Sequence, residues 1–313
     1  MNPVSHVSVI IPVYNAGKHI GRAINSVRTQ PEVNEIIIVD DGSSDNSAEV
    51  CRNLQAGDPR ISILHHPGHS NKGVSASRNL GITHAKNPVI AFLDADDYYL
   101  PGRFTTAMQC FVAEESIDGV YEMIGLHSET AEIKPYAYIE EVSSERLFEN
   151  LQPIGEKVWF SCDGLTVKKA LFEKAGLFDE TLKTSEDTLQ WFKLAACGKL
   201  VAGKIHEPVS ITESRSDSLT TDRALVQRDF ILMLLKLFNA CRKFRCSAAR
   251  KELVLQKFFF FYTRDPYRLL FSSFKRTGII LGLISADPRY ILFHSAAFRK
   301  FVGDISGFKR SSR

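Results

Sequence analysis

The chain has 313 residues, 44% of them hydrophobic and 24% charged, with a net charge of +3. Those proportions exclude a disordered polymer or a collagen-like fibre and allow one large globular domain or two smaller ones. The charge is uneven: residues 221–313 carry 19 basic and 6 acidic side chains while the rest carries 20 and 30, so an acidic body is joined to a basic tail with different partners.

Val7 to Tyr14 is short and rich in β-branched residues and predicts a buried strand. A turn at Asn15-Ala16-Gly17 leads to a helix over Lys18 to Thr29, with Ile20, Ile24 and Val27 on one face. A second strand, Glu35 to Val39, ends at Asp40-Asp41-Gly42-Ser43, and Asp45 is placed to cap a helix over Asn46 to Leu54. Ile61 to Leu64 predicts a third strand, Gly73 to Ala85 a helix and Val89 to Leu93 a fourth strand. Strands alternating with helices at this spacing predict parallel βαβ units. In such sheets ligands gather at the carboxyl ends of the strands. Those ends carry Tyr14, Asp40-Asp41 and the run Asp94-Ala95-Asp96-Asp97.

Beyond residue 100 the pattern loosens. It predicts a helix over Phe104 to Glu114, one strand over Gly119 to Leu126, a strand at Leu165 to Val167 and a helix over Lys169 to Ala175. Ser185 to Cys197 reads as a helix with Glu186 and Asp187 in its first turn and Gly198 behind it. Strand-like pieces follow at Leu200-Val201 and Val209 to Thr212, and from about residue 221 long apolar-basic helices take over.

Three like charges in D-A-D-D repel one another unless a cation sits among them. A hard divalent cation takes oxygen ligands and neutralises a diphosphate leaving group. A lone D-x-D is more often a solvated loop, but here it is one of several motifs in order. VSVIIPVYNAGKHIGRAINSVRTQ, EIIIVDDGSSDNS, KGVSASRNLGI, IAFLDADDYYLPGRF, LFEKAGLFDE and SEDTLQWFKLAACGKLV together resemble the signature of family 2 glycosyltransferases of the GT-A fold, of the bacterial polysaccharide type, over residues 6–220.

The resemblance implies a Rossmann-like α/β fold with a mostly parallel sheet flanked by helices. It also implies inverting transfer of a sugar from a nucleotide-sugar, commonly a UDP-sugar, with Mn2+ or Mg2+, to a hydroxyl of a glycan or lipid-linked glycan. A nucleotide-sugar half (1–100) and an acceptor half (101–220) then precede a basic helical extension (221–313). By the same resemblance Asp96 holds the metal and Asp94 contacts the ribose, while Asp97 orients them or reaches the donor sugar. Asp40 and Asp41 meet the base, Asp41 by preference, and Pro12 and Tyr14 flank the nucleotide. Arg78 lies near the diphosphate, its alternative being a salt bridge to the Asp cluster. Asp187 is the general base that takes the acceptor's proton, with Glu186 assisting. Relatives often carry a Y-R-x-H-like segment where this chain has ITESRSDSLT, so Arg215 takes the Arg role and no His follows it.

His65, His66 and His69 match nothing in the family and read as a surface loop. The cysteines at 51, 110, 162, 197, 241 and 246 show neither C-x-x-C nor zinc spacing, which fits reduced thiols in the cytoplasm. The N-terminus has no basic n-region and no apolar run reaches about 18 residues, so neither a signal peptide nor a membrane span is expected. ILMLLKLF, KFFFFYTRDPYRLLFSSFKR and GIILGLIS read either as helices packing on the catalytic domain or a second subunit, or as an amphipathic anchor on the cytoplasmic face of the inner membrane. No nucleic-acid motif appears, so nucleic acid is not an expected partner. Two rivals remain. A nucleotidyltransferase would need a Gly-rich phosphate loop where PVYNAGKHI stands, and a catalytically inactive glycan-binding scaffold would not need the intact D-A-D-D and E-D motifs.

Overall fold

A computed structural model describes residues 6–127, 133–213, 222–263, 282–285, 287–288 and 290–301. The chain divides into two compact units, Met1–Ser218 and Leu219–Arg313.

The first unit opens with strands β1 (Val7–Val13), β2 (Val33–Asp40), β3 (Ile61–His65) and β4 (Val89–Phe92). Helices α1 (Ile20–Arg28), α2 (Ser47–Ala56) and α3 (Val74–His84) make the crossovers. There follow β5 (Tyr98–Tyr99), α4 (Thr105–Ala113), β6 (Gly119–Tyr121), β7 (Ile124–His127), β8 (Ile133–Pro135), β9 (Tyr138–Ile139), α5 (Ser144–Asn150) and β10 (Val158–Trp159). The unit closes with β11 (Leu165–Lys168), α6 (Lys169–Ala175), α7 (Glu186–Cys197), β12 (Leu200–Ala202) and β13 (Ser210–Glu213).

Seven strands form the central sheet in the order β12-β6-β11-β4-β1-β2-β3. All run in one direction except β11, which is antiparallel to both β4 and β6. This is the mostly parallel α/β architecture expected from the sequence. β1 and β2 are buried along almost their whole length, which is why they read as continuous apolar runs and not as alternating ones. Val7, Val9, Ile11 and Val13 pack with Ile20, Ala23, Ile24 and Val27 of α1 in one core. Each such fully buried Val or Ile contributes roughly 1.5–3 kcal/mol. On the opposite face Ile10 meets α3 so closely that a Cβ on Gly81 would lie 2.4 Å from Ile10 Cγ2.

One expectation needs correcting. Gly119 to Leu126 is not a single strand: β6 belongs to the central sheet and β7 to a second sheet, β5-β13-β7-β8. The chain changes sheets at Glu122-Met123, whose N–H groups donate to Gly164 O at 2.9 Å and Lys204 O at 2.8 Å. Glu122 is fully buried there, in a 2.7 Å ion pair with the equally buried Arg103.

The second unit holds α8 (Arg223–Lys243) and α9 (Ala248–Thr263). Asp222 caps α8 by accepting from the N–H groups of Ala224 and Leu225. Within the Phe258–Phe261 run Phe258 and Phe259 are buried while Phe260 is exposed. Among the described residues no helix is long and apolar enough to cross a membrane. GIILGLIS is described only in its second half, and most of the stretch beyond Thr263 lies outside the described residues.

Candidate active site

The chain runs β1, β2, β3 across one side of the sheet and returns to place β4 on the other side of β1. That reversal opens a crevice at the carboxyl ends of β1 and β4, where α/β sheets bind ligands. Tyr14 follows β1 and the D-A-D-D turn follows β4. Because β11 runs the other way, its beginning, not its end, lies at the same edge. It brings the 3-10 turn Cys162–Gly164 to the D-A-D-D turn.

That turn is tied down by named groups. Asp97 N–H donates to Asp94 O at 3.1 Å, and Asp94 N–H donates to Asp163 Oδ1 at 3.0 Å. Asp97 is buried and accepts from Thr212 Oγ1 and from Glu213 N–H, both at 3.0 Å. Its carboxyl lies against that of the buried Asp163. Burial, and then the neighbouring carboxylate, raise the pKa of Asp97, because two buried carboxylates in contact do not both ionise. Asp97 therefore orients the turn from beneath. Asp94 and Asp96 remain half-exposed at its mouth.

Arg78 on α3 is 4% exposed and brackets both acidic motifs. Its Nη2 donates to Asp94 Oδ1 at 2.9 Å and its Nη1 to Glu186 Oε1 at 3.0 Å. The guanidinium lies 5.5 Å from the centre of the Phe178 ring. These contacts include the expected salt bridge to the Asp cluster, which is compatible with a place near the diphosphate. The acidic pair at the start of α7 splits. Glu186 turns inward to Arg78, and burial, then Asp187, push its pKa up to about 7 against the pull of Arg78. Asp187 is half-exposed, its Oδ1 accepting from Thr188 N–H at 2.5 Å. Ser185, which leads into the pair, sits in the left-handed region at φ 61°, a conformation that costs a non-glycine residue energy and clusters at functional sites.

On the base side, Tyr14 is 54% exposed while Pro12 is buried within β1. Asp40 Oδ1 accepts from Ser43 N–H at 3.0 Å. Asp41 is more committed: Oδ1 accepts from Lys72 N–H at 2.7 Å and Oδ2 from Gly73 N–H at 2.9 Å. It holds the loop ahead of α3. Gly42 has φ +77° and faces that loop, where a Cβ would come within 2.6 Å of His69 O. The histidine loop is not simply a surface loop. His66 is buried, 3.0 Å from Ser77 Oγ and 3.5 Å from Asp41 Oδ1; His69 alone of the three is exposed. Arg215 lies outside the described residues.

Asp163 was not legible as a site residue. It is fully buried, supports Asp94 through its side chain and accepts from Arg103 Nε through its carbonyl at 3.0 Å. The only sequence signal is a polar S-C-D-G beside an apolar strand. The ligand atoms of Asp94, Cys162 and Asp163 lie within 4.8 Å of one another. This deep trio suits a hard cation poorly, since a cysteine sulfur is a soft ligand and Arg78 already occupies Asp94 Oδ1. Asp96, half-exposed at the mouth, offers oxygens of the kind such a cation takes.

Comparison with known proteins agrees with this geometry. Residues 8–172 match the model of the family described as glycosyl transferase family 2. An uncharacterised glycosyltransferase of Rickettsia typhi is 33% identical over 227 residues, which cover 71% of this chain and 67% of that protein. The chain spans about two thirds or less of the curated relatives it matches. Among solved structures, Staphylococcus aureus TarS 1–349 in complex with UDP-GlcNAc is similar with a TM-score of 0.65 at 20% identity, covering 96% of this chain and 80% of that one. The mannosyltransferase PcManGT of Pyrobaculum calidifontis, in complex with GDP-Man and Mn2+, is similar with a TM-score of 0.54 at 15% identity, covering 92% and 88%. The sheet order, the clustered acidic motifs and the family match lead to one conclusion: this chain is a glycosyltransferase and belongs to glycosyl transferase family 2.

Proposed function

We propose that the enzyme transfers one sugar from a nucleotide diphosphate sugar, a UDP-sugar by preference, to a hydroxyl of a glycan or lipid-linked glycan, with inversion at the anomeric carbon. The observation that carries this reading is the Arg78 bracket, which brings the D-A-D-D and E-D motifs to one crevice. Asp187, half-exposed beside the buried Glu186, takes the proton from the acceptor hydroxyl. The hydroxyl oxygen then bonds to the anomeric carbon as the bond from that carbon to the diphosphate oxygen breaks. Asp96, with Asp94 beside it toward the ribose, would hold a divalent cation, which when bound would neutralise charge on the leaving diphosphate. Tyr14 flanks the base, and Asp40 and Asp41 shape its pocket. Arg215 is assigned to the diphosphate from the sequence alone. The UDP-GlcNAc complex of TarS supports a uridine donor, and the GDP-Man complex of PcManGT makes base choice the point to test.

The test is a panel of UDP- and GDP-sugars, with Mn2+ or EDTA, read by thermal shift and by donor hydrolysis. One donor should stabilise the wild type only with metal, and Asp96→Ala should lose that shift. Asp187→Ala should keep it while turnover falls by about 10²–10⁴. If no nucleotide sugar shifts the protein under any condition, the reading fails and a non-catalytic scaffold replaces it. The basic second unit is proposed to rest on an anionic membrane surface. Sedimentation with phosphatidylglycerol vesicles that is abolished by salt supports this, and no sedimentation removes it.

A further inference from the structure

The D-A-D-D turn is held from below by Asp163, Thr212 and Glu213 N–H. A further hold comes from the side. Arg22 on α1 donates from Nη2 to the carbonyl of Asp96 at 2.8 Å and from Nη1 to Glu213 Oε1 at 2.6 Å. Its guanidinium stacks over the Tyr98 ring at 4.5 Å. Glu213 also faces His127 Nδ1 at 3.4 Å. One side chain therefore joins α1, the metal-side turn and the end of β13.

Stability alone is a poor account of this arrangement. Arg22 is 43% exposed along its side chain, and ion pairs that open to water contribute little to folding. Its grip on a peptide carbonyl has a geometric effect instead. Fixing the Asp96 carbonyl limits rotation of that peptide and so narrows the directions open to the Cα–Cβ bond from which the carboxylate turns. We propose that Arg22 is a positioning residue: it aims the Asp96 carboxylate at the cation and fixes the end of β13 against the same turn. The inference rests on the proposed role of Asp96.

The experiment titrates Mn2+ into the full chain with UDP present and no acceptor, following loss of the free Mn2+ signal by electron paramagnetic resonance. Wild type, Arg22→Ala, Arg22→Lys and Glu213→Gln are compared. Arg22→Ala should bind Mn2+ about tenfold more weakly, the scale of one lost charge-assisted hydrogen bond. Its melting temperature should stay within about 3 °C of wild type. Arg22→Lys, which keeps one donor, should recover part of the affinity, and Glu213→Gln should lose a smaller part. Saturating Mn2+ should return turnover of Arg22→Ala toward wild type, which a merely structural defect would not allow. Wild-type Mn2+ affinity in Arg22→Ala overturns the proposal, as does a turnover loss that no Mn2+ concentration repairs. Should Arg22→Ala not fold, Arg22→Lys and Glu213→Gln decide: unchanged affinity in both overturns it. If the wild type itself takes up no Mn2+ with UDP, the donor-site reading fails and this inference goes with it.

Discussion

The two halves of the first unit are built on different physics. In residues 7–92 the strands are apolar on both faces and the polar groups wait at the strand ends. In residues 98–213 the strands are short, split between sheets, and held by buried polar groups such as Arg103, Glu122 and Asp163. The first half stands on the hydrophobic effect, which tolerates small losses spread over many contacts. The second also has an apolar core, with Phe104, Phe148, Phe160 and Phe192 buried, but adds charged and hydrogen-bonded pairs inside it, where one deletion leaves a partner stranded. The candidate site lies where the two meet, so its geometry depends on the more fragile construction.

Arg103→Met should break the comparison most sharply. It leaves Glu122 buried without its 2.7 Å partner and should cost about 3–5 kcal/mol in urea unfolding. Hydrogen exchange should rise first in β6, β7 and β11 and last in β1 and β2. Adding Glu122→Leu should recover much of the loss, because the stranded charge is then gone. A smaller effect is expected from Asp163→Ala, which removes the acceptor for Asp94 N–H. It should cost about 1–3 kcal/mol and weaken nucleotide binding, while Asp163→Asn, which keeps an acceptor oxygen, should lie closer to wild type. Calorimetric titration with UDP and Mn2+ reads both.

The smallest effect is a slope. Glu186 has its pKa raised from 4.5 to about 7 in the folded state, so the native protein binds the extra proton between those values. Its contribution to stability is full below about pH 4.5 and is lost as pH rises toward 7. Unfolding measured at pH 5 and pH 7.5 should show this loss, of the order of 2 kcal/mol, and Glu186→Gln should flatten it. An unchanged slope in the variant assigns the pH dependence to another group.

What the sequence could show follows the same divide. Val7 to Tyr14, Glu35 to Val39 and Lys169 to Ala175 were legible because burial on both faces, or one helical face, leaves a local pattern. The strand ends were legible because polar residues interrupt apolar runs there. The break within Gly119 to Leu126 was not, although Glu122 inside V-Y-E-M-I is its trace. A buried Glu is intelligible only beside Arg103, 19 residues away. Asp163 was hidden for the same reason, since its partners Asp94 and Arg103 lie 69 and 60 residues upstream. The inward turn of Glu186 and the commitment of Asp41 to the loop at Lys72-Gly73 are likewise three-dimensional facts with no local signature.

The reversed strand β11 has a consequence for the order of events at birth. The chain emerges from its N-terminus, so β1 to β4 are available to pair while the residues that hold the D-A-D-D turn from below, Asp163, Thr212 and Glu213, are not yet made. β4 finds its β11 partner only about 75 residues later, through pairs such as Ala91 with Thr166, and closing so long a loop is slow as well as entropically costly. The support of Asp94 by Asp163 is thus expected to arrive late in folding, after β1 to β4 have paired. A chain halted before Asp163 would present β1 to β4 without the carboxylate that accepts from Asp94 N–H.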